Sequence, residues 1–224
     1  MAWKIIFILL LLFSITLTLI RPTTAKVNPL FLSSTCDYSK GNYTKNSPYY
    51  SNLLHTFANL SSLSAFNTFS NFTSGSGEDA TNKIYALYDC RLDLTLQTCQ
   101  DCVKDAGIEL LQSCPSKEAI AIYAECMLRY ANRPIVAMME LTPPQIICGV
   151  GVTMADEGVL NRTIKPIFKG LIEEATSENS SRYFATGEGS YFEYQKVYCL
   201  VQCTPDISRD QCKMCLIKCL ELYA

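Results

Sequence analysis

Cys90-Arg91-Leu92-Asp93-Leu94-Thr95-Leu96-Gln97-Thr98-Cys99-Gln100-Asp101-Cys102 is a C-x8-C-x2-C stretch, and the same spacing returns at Cys203, Cys212 and Cys215. Each copy follows a tyrosine-bearing apolar run, Ile84 to Tyr88 and Val197 to Val201. A spaced triplet that recurs with its flanks marks an internal repeat. Further out, Cys36 precedes Cys90 by 54 residues and Cys148 precedes Cys203 by 55. The chain therefore reads as tandem domains, 26–141 and 142–224, with Thr142-Pro143-Pro144 as the start of the link.

Residues 1–25 read as a signal peptide: Lys4, an apolar run from Ile5 to Ile20, and a small-x-small cleavage signal ending at Ala25. The run is shorter than a comfortable membrane span and carries Ser14, Thr16 and Thr18. Nothing downstream is long and apolar enough to cross a bilayer. Removal of Lys4 and Arg21 leaves 17 basic against 21 acidic residues. Without a Lys/Arg cluster, phosphate neutralisation is unavailable and nucleic acid is not an expected partner. All 12 cysteines lie in the mature part, which points to an oxidising, extracellular compartment. Asn42, Asn59, Asn71, Asn161 and Asn179 head N-x-S/T sequons, candidate N-glycosylation sites of a secreted protein.

Within the first domain Phe31 to Cys36 reads as a strand, and Ser47-Pro48 as a helix start. Tyr50, Leu53, Leu54, Phe57 and Leu60 then recur at helical spacing, with His55, the only histidine, on the polar side. A short strand near Phe66 to Phe69, a loop through Ser74-Gly75-Ser76-Gly77 and a central strand from Ile84 to Cys90 follow. Cys99, Cys102, Val103, Ala106 and Leu110 share one face of a second helix that stops before Cys114-Pro115. Two further strands are expected, Ala119 to Cys126 and Ile135 to Leu141. This order argues for an α+β domain with an antiparallel sheet. In the second domain Ile164, Ile167, Phe168, Leu171, Ile172 and Ala175 form the matching first helix. A strand from Tyr191 to Cys203 and a helix from Cys212 to Leu222 follow.

Catalytic equipment is scarce. One histidine gives no Cys-His or Ser-His pairing, and neither G-x-S-x-G nor H-E-x-x-H occurs. Glu173-Glu174 fall on the polar face of an amphipathic helix and read as solvated. The CxxC pairs Cys99/Cys102 and Cys212/Cys215 lack the further close ligands that zinc requires, and export into an oxidising compartment turns such thiols into disulfides. No enzyme, cofactor or metal is expected.

The series Cys36, C-x8-C-x2-C, Cys114 and Cys126, with FLSSTC before it and Cys126-Met127-Leu128-Arg129-Tyr130 after it, resembles the ginkbilobin-homologous domain. This is the salt-stress-response/antifungal domain of plant cysteine-rich repeat secretory proteins and cysteine-rich receptor-like kinases. The resemblance implies two helices packed on a five-stranded antiparallel sheet with three disulfides: Cys36 to Cys114, Cys90 to Cys99 and Cys102 to Cys126. In the second copy Cys203 to Cys212 transfers directly. The cysteines 12 and 24 residues beyond the triplet would fall at about 227 and 239, past Ala224, so the second copy is expected to lack its last two strands. Cys148 and Cys215 then lose their partners, which leaves open a disulfide-linked dimer. Cys199 and Cys219 are additions at the positions of Ala86 and Ala106. Four residues up a strand is roughly 13 Å and seven along a helix roughly 10 Å, so these two thiols reach similar heights and are expected to pair, with two buried free thiols as the alternative.

Members of the family bind mannose through an asparagine, an arginine and a glutamate. Those positions hold Asp37, Ile120 and Ala131 here. Asp37 can still accept a hydroxyl hydrogen bond, but Ile120 and Ala131 cannot replace a guanidinium and a carboxylate. The resemblance thus points to an extracellular recognition module of the apoplast, binding a protein partner in plant defence or stress signalling. A lectin-like antifungal protein that binds cell-wall glycan is the alternative.

Overall fold

Ser47 sets the start of the first helix, α1 (Pro48–Leu63): its Oγ accepts from Tyr50 N at 3.2 Å, and proline fills the first helical position, where a missing N–H costs nothing. Thr95 caps α2 (Leu96–Ser113) in the same way through Thr98 N. The computed structural model describes residues 28–75, 80–141, 157–180, 182–192 and 195–223. In the first unit these helices cover one face of a five-stranded antiparallel sheet. Its strands are β1 (Phe31–Cys36), β2 (Phe69–Ser74), β3 (Ile84–Cys90), β4 (Ala119–Tyr123) and β5 (Cys126–Ala131), in the order β1-β4-β5-β3-β2.

Alternation assigns the faces. Ile84, Ala86, Tyr88 and Cys90 of β3 and Leu128 and Tyr130 of β5 point at the helices, where they meet Leu53, Leu60, Val103, Ala106 and Leu110 in one core. Tyr85, Leu87 and Asp89 of β3 alternate onto the opposite, open face, in register with Ala131, Arg129 and Met127 of β5. Cys36 is bonded to Cys114, Cys90 to Cys99 and Cys102 to Cys126. The first of these closes a separation of 78 residues, against 9 and 24 for the others, and restrains the unfolded chain most, by on the order of 4 kcal/mol in a chain-entropy account.

Three phenols fasten the loop after α2. Tyr43 donates to Cys114 O at 2.9 Å, Tyr49 to Lys117 O at 2.8 Å, and Tyr130 to Ser116 O at 2.8 Å. Burial raises the pKa of all three and keeps them neutral donors.

The fifth strand is Cys126–Ala131, and residues 135–141, expected as a strand, are not one. Pro134 has no N–H for a ladder, and Ala137 takes a positive φ of 60°. The segment instead bends back across the open face, where Ile135 packs with Leu87 and Ala131. Phe66, expected in a strand, lies exposed in the turn after α1, and β2 begins at Phe69.

The second unit has α3 (Glu157–Ala175), a hairpin of β6 (Phe184–Phe192) and β7 (Gln195–Gln202), and α4 (Arg209–Tyr223). A single strand was expected over 191–203; the hairpin has a second, β6, whose Gly187 and Gly189 hide its strand character. Both glycines serve packing. A Cβ at Gly187 would come within 3.1 Å of Leu171 Cδ2, and one at Gly189 within 2.4 Å of Ile167 Cδ1, so bare backbone lets α3 settle on the hairpin.

Replacing Tyr130 by Phe leaves the Ser116 carbonyl without this donor in a fully buried site. The expected cost is about 1–2 kcal/mol, read as a lower urea midpoint with unchanged slope under non-reducing conditions.

Candidate functional site

The open face of the first sheet, the strap of residues 132–141 and the turn between the hairpin and the last helix of the second unit enclose a cleft of about 750 Å³. Its apolar lining includes Leu87, Met127, Ile135, Met138 and Ile207. One wall carries four charges in a closed network. Glu118, on the lead into β4, is 7% exposed and accepts from Arg129 Nη2 at 2.9 Å, Arg133 Nε at 3.0 Å and Arg133 Nη2 at 2.6 Å. Glu140, on the strap, accepts from the same two guanidiniums.

Each carboxylate is thus shared by two arginines, which offsets the cost of burying charge. Hydrogen bonds from Arg133 and then Arg129 hold the Glu140 carboxyl down at about 2, and the same contacts raise the Arg133 pKa. The network ties the strap to the sheet and so fixes where the chain leaves for the second unit.

A side-chain amide completes the joint. Gln202, at the end of β7, donates from Nε2 to Cys90 O at 2.9 Å and accepts at Oε1 from Leu92 N at 3.2 Å. These two backbone groups flank Arg91, and the amide meets them as a neighbouring strand residue would. The same Nε2 donates to Asp89 Oδ2 at 2.7 Å. Asp206 Oδ2 accepts from Ala137 N at 2.7 Å, which fastens the strap to the second unit as well.

Asp37 lies at the cleft rim, where its carboxylate accepts from Ser39 N at 3.0 Å and Ser39 Oγ at 2.6 Å. The Ser39 hydroxyl is the main reason its pKa is lowered. Ile120 lines the cleft, whereas Ala131 is buried beneath the strap with Ile135. Of the sequon asparagines, Asn42 and Asn71 are exposed on the first unit and Asn179 just after α3. Asn59 stands on α1 with its amide donating to His55 O at 2.8 Å, and Asn161 falls within α3. Asn42, Asn59, Asn71 and Asn179 do not line the cleft.

In the second unit Cys203 is bonded to Cys212. The expected bridge from Cys199 to Cys219 does not form: Cys199 is a buried free thiol on β7, and Cys219 is free and exposed. Residues 212, 216 and 220 form the inner side of α4, with Leu216 and Leu220 packed against the core. Cys219 falls outside that stripe, one turn beyond Cys215. Cys148 lies outside the described residues. Among the described residues no group of three or more His, Cys, Asp or Glu is placed to hold a metal ion, and no helix is long and apolar enough to cross a membrane.

Two α+β units, disulfide-built and clasped in tandem across a cleft, define a cysteine-rich extracellular module. Residues 35–133 and 148–223 each match the salt stress response/antifungal domain, and the chain belongs to that family. It is 38% identical over 210 residues to cysteine-rich repeat secretory protein 1 of Arabidopsis thaliana, covering 92% of this chain and 59% of that protein. It is 36% identical over 196 residues to cysteine-rich receptor-like protein kinase 26 of the same plant, covering 86% of this chain but only 29% of the kinase. The tandem DUF26 ectodomain of the Arabidopsis cysteine-rich receptor-like protein PDLP8 superposes with a TM-score of 0.70 at 20% identity, covering 86% of each chain. At that identity the likeness concerns the fold.

Two outcomes follow from these charges. In Glu140→Gln the stabilisation from the ion-paired carboxylate is absent at every pH. The wild-type chain therefore exceeds the variant in stability above about 4.5, and the gap closes as pH falls through about 2, measured by denaturation across that range; solvent screening keeps the gap modest. The neighbouring Cys215 thiol lowers the pKa of the Cys219 thiol, whereas burial raises that of Cys199. Iodoacetamide at mildly acidic pH is expected to label Cys219 well ahead of Cys199, read by peptide mass spectrometry.

Proposed function

We propose that this chain is a non-enzymatic extracellular recognition module that engages a protein partner through the cleft between its two units, in plant defence or stress signalling. The observation that carries this reading is the lining of the cleft. Met127, Met138 and Met139, with Leu87 and Ile135, supply an apolar, adaptable floor of the kind that accommodates peptide side chains. The charges beside it are already neutralised in pairs and would orient a segment without demanding a charged ligand. A sugar would find little: Asp37 is occupied by Ser39, and Ile120 and Ala131 offer no polar atom beyond the backbone. The relatives include a secreted repeat protein and receptor-like kinases, settings in which such a module would act. Asn42, Asn59, Asn71 and Asn179 do not line the cleft.

The test is capture of apoplastic proteins by the purified mature chain and by a Met138→Arg variant, beside titration of both with mannan. Met138 is 48% exposed, so the substitution is expected to spare the fold. A partner held by the wild-type chain and lost by about tenfold or more in the variant supports the cleft. Specific, saturable mannan binding that is unchanged in the variant would overturn this reading in favour of a lectin.

A further inference from the structure

Cys203, Cys212 and Cys215 of the second unit answer to Cys90, Cys99 and Cys102 of the first, so β7 takes the place of β3 and α4 that of α2. In the first unit β3 is paired on both sides, with β2 and with β5, and α2 rests on β4 and β5. In the second, β7 is paired with β6, and among the described residues no strand lies on its other edge. Cys203 N donates to Tyr183 O on the β6 side, which turns the backbone groups of Val201 and Cys199 the same way. The N–H and C=O groups of Tyr198, Leu200 and Gln202 therefore face the open edge, as those of Tyr85, Leu87 and Asp89 face β5. The helix beside that edge is uncovered too. Cys102 and Ala106 of α2 are buried, whereas their counterparts on α4 are the half-buried Cys215 and the exposed Cys219. On β7 itself Tyr198 is 76% exposed. An unpaired strand edge beside an uncovered helix is a template for one more strand.

We infer that this slot accepts an extended segment of a partner protein, added antiparallel to β7 and beneath α4 as β5 is added to β3 beneath α2. The strand β5 gives the chemistry of the occupant. Its Cys126 stands opposite Cys90 and bonds Cys102, and its Leu128 and Tyr130 point at the helices. A fitting segment thus places a cysteine or small residue opposite Cys203, within reach of Cys215, and apolar residues two and four places further on. Main-chain hydrogen bonds supply its affinity and the alternate side chains its selection. The hairpin of a second copy is excluded, because its own α3 already covers the side that this α4 would have to cover. Cys203 and Cys215 line the cleft, so the slot opens into it. The choice of a protein as occupant rests on the recognition reading above; the open edge does not.

The probe is a synthetic peptide with the sequence of residues 124–132 of this chain, its cysteine activated as a pyridyl disulfide. Attack by the Cys215 thiolate forms the Cys215–peptide disulfide and releases thiopyridone, with no external oxidant. Peptide mass spectrometry of the intact, disulfide-bonded chain reads the site and rate of trapping. Cys215 is expected to be trapped at least about tenfold faster than by a probe of scrambled order that keeps the cysteine in place. Methylated amides separate docking from thiol reactivity. In β5 the Arg129 amide faces β3 and the Leu128 amide faces β4. Methylating the Arg129 nitrogen of the probe is expected to abolish the advantage, and methylating the Leu128 nitrogen to preserve it. Equal trapping by all four probes, faster trapping at Cys219, or a Cys215 already bonded to Cys148 in the chain alone would overturn the inference. The Met138→Arg variant keeps the two readings apart. Loss of a captured partner there, with no probe selectivity at Cys215, removes the slot and leaves the cleft; selective trapping in a chain that captures no protein through the cleft removes the cleft and leaves the slot.

Discussion

One carboxamide holds the two halves of this molecule in register. Gln202 comes from the last residue of a hairpin and finds a backbone acceptor and donor on either side of Arg91, just beyond the end of β3. Those groups would otherwise be left to solvent at the point where the sheet ends. Asparagine would be one methylene too short to reach from the same backbone position, and glutamate would lose the donor. Two of its three contacts use main-chain groups and depend on where β3 ends; the third is made to the Asp89 carboxylate. The end of β3 is in turn fixed by the Cys90 to Cys99 bond, so a covalent constraint inside the first unit supports a noncovalent one between units.

The Arg/Glu network does for the strap what Gln202 does for the hairpin. A chain leaving a sheet edge would ordinarily swing freely, yet here Ile135 is buried on the open face and Glu140 is held by two guanidiniums. Both sets of contacts fall on the face that faces away from the helices. Here it is partly spent on assembling the tandem, and what remains becomes the cleft.

Much of the fold could be read from periodicity. Ser47-Pro48, the apolar stripe of α1 and the alternation in β3 are local signals, and the residues concerned take up the expected elements. The repeated cysteine spacing marked the tandem, and residues 35–133 and 148–223 each match the family. What escaped were features decided by distant partners. The strand β6 is masked by Gly187 and Gly189, which look like loop residues until a helix is packed on them. Residues 135–141 have strand-like composition but follow Pro134 and are drawn onto the open face. Cys199 and Cys219 stood at matching heights, and height along an element says nothing about rotation around it. Of the cleft, Asp37 and Ile120 stand out in the sequence as candidate contacts, and Cys203 and Cys215 only as members of the repeated triplet. Glu118, Arg133, Glu140, Asp89 and Gln202 lie up to 113 residues from their partners, and single-sequence patterns carry no information over such separations.

The distribution of covalent links has a mechanical side. A pull along the chain enters the first unit at β1, passes at once through Cys36 to Cys114, and leaves through β5, itself stitched by Cys126 to α2. Nearly the whole unit is bypassed, so it would carry tension as an almost inextensible link. The second unit has one described bridge, spanning 9 residues between β7 and α4. Under load the hairpin and α3 would therefore lengthen first, and the first unit would keep its shape while its neighbour acts as the compliant element.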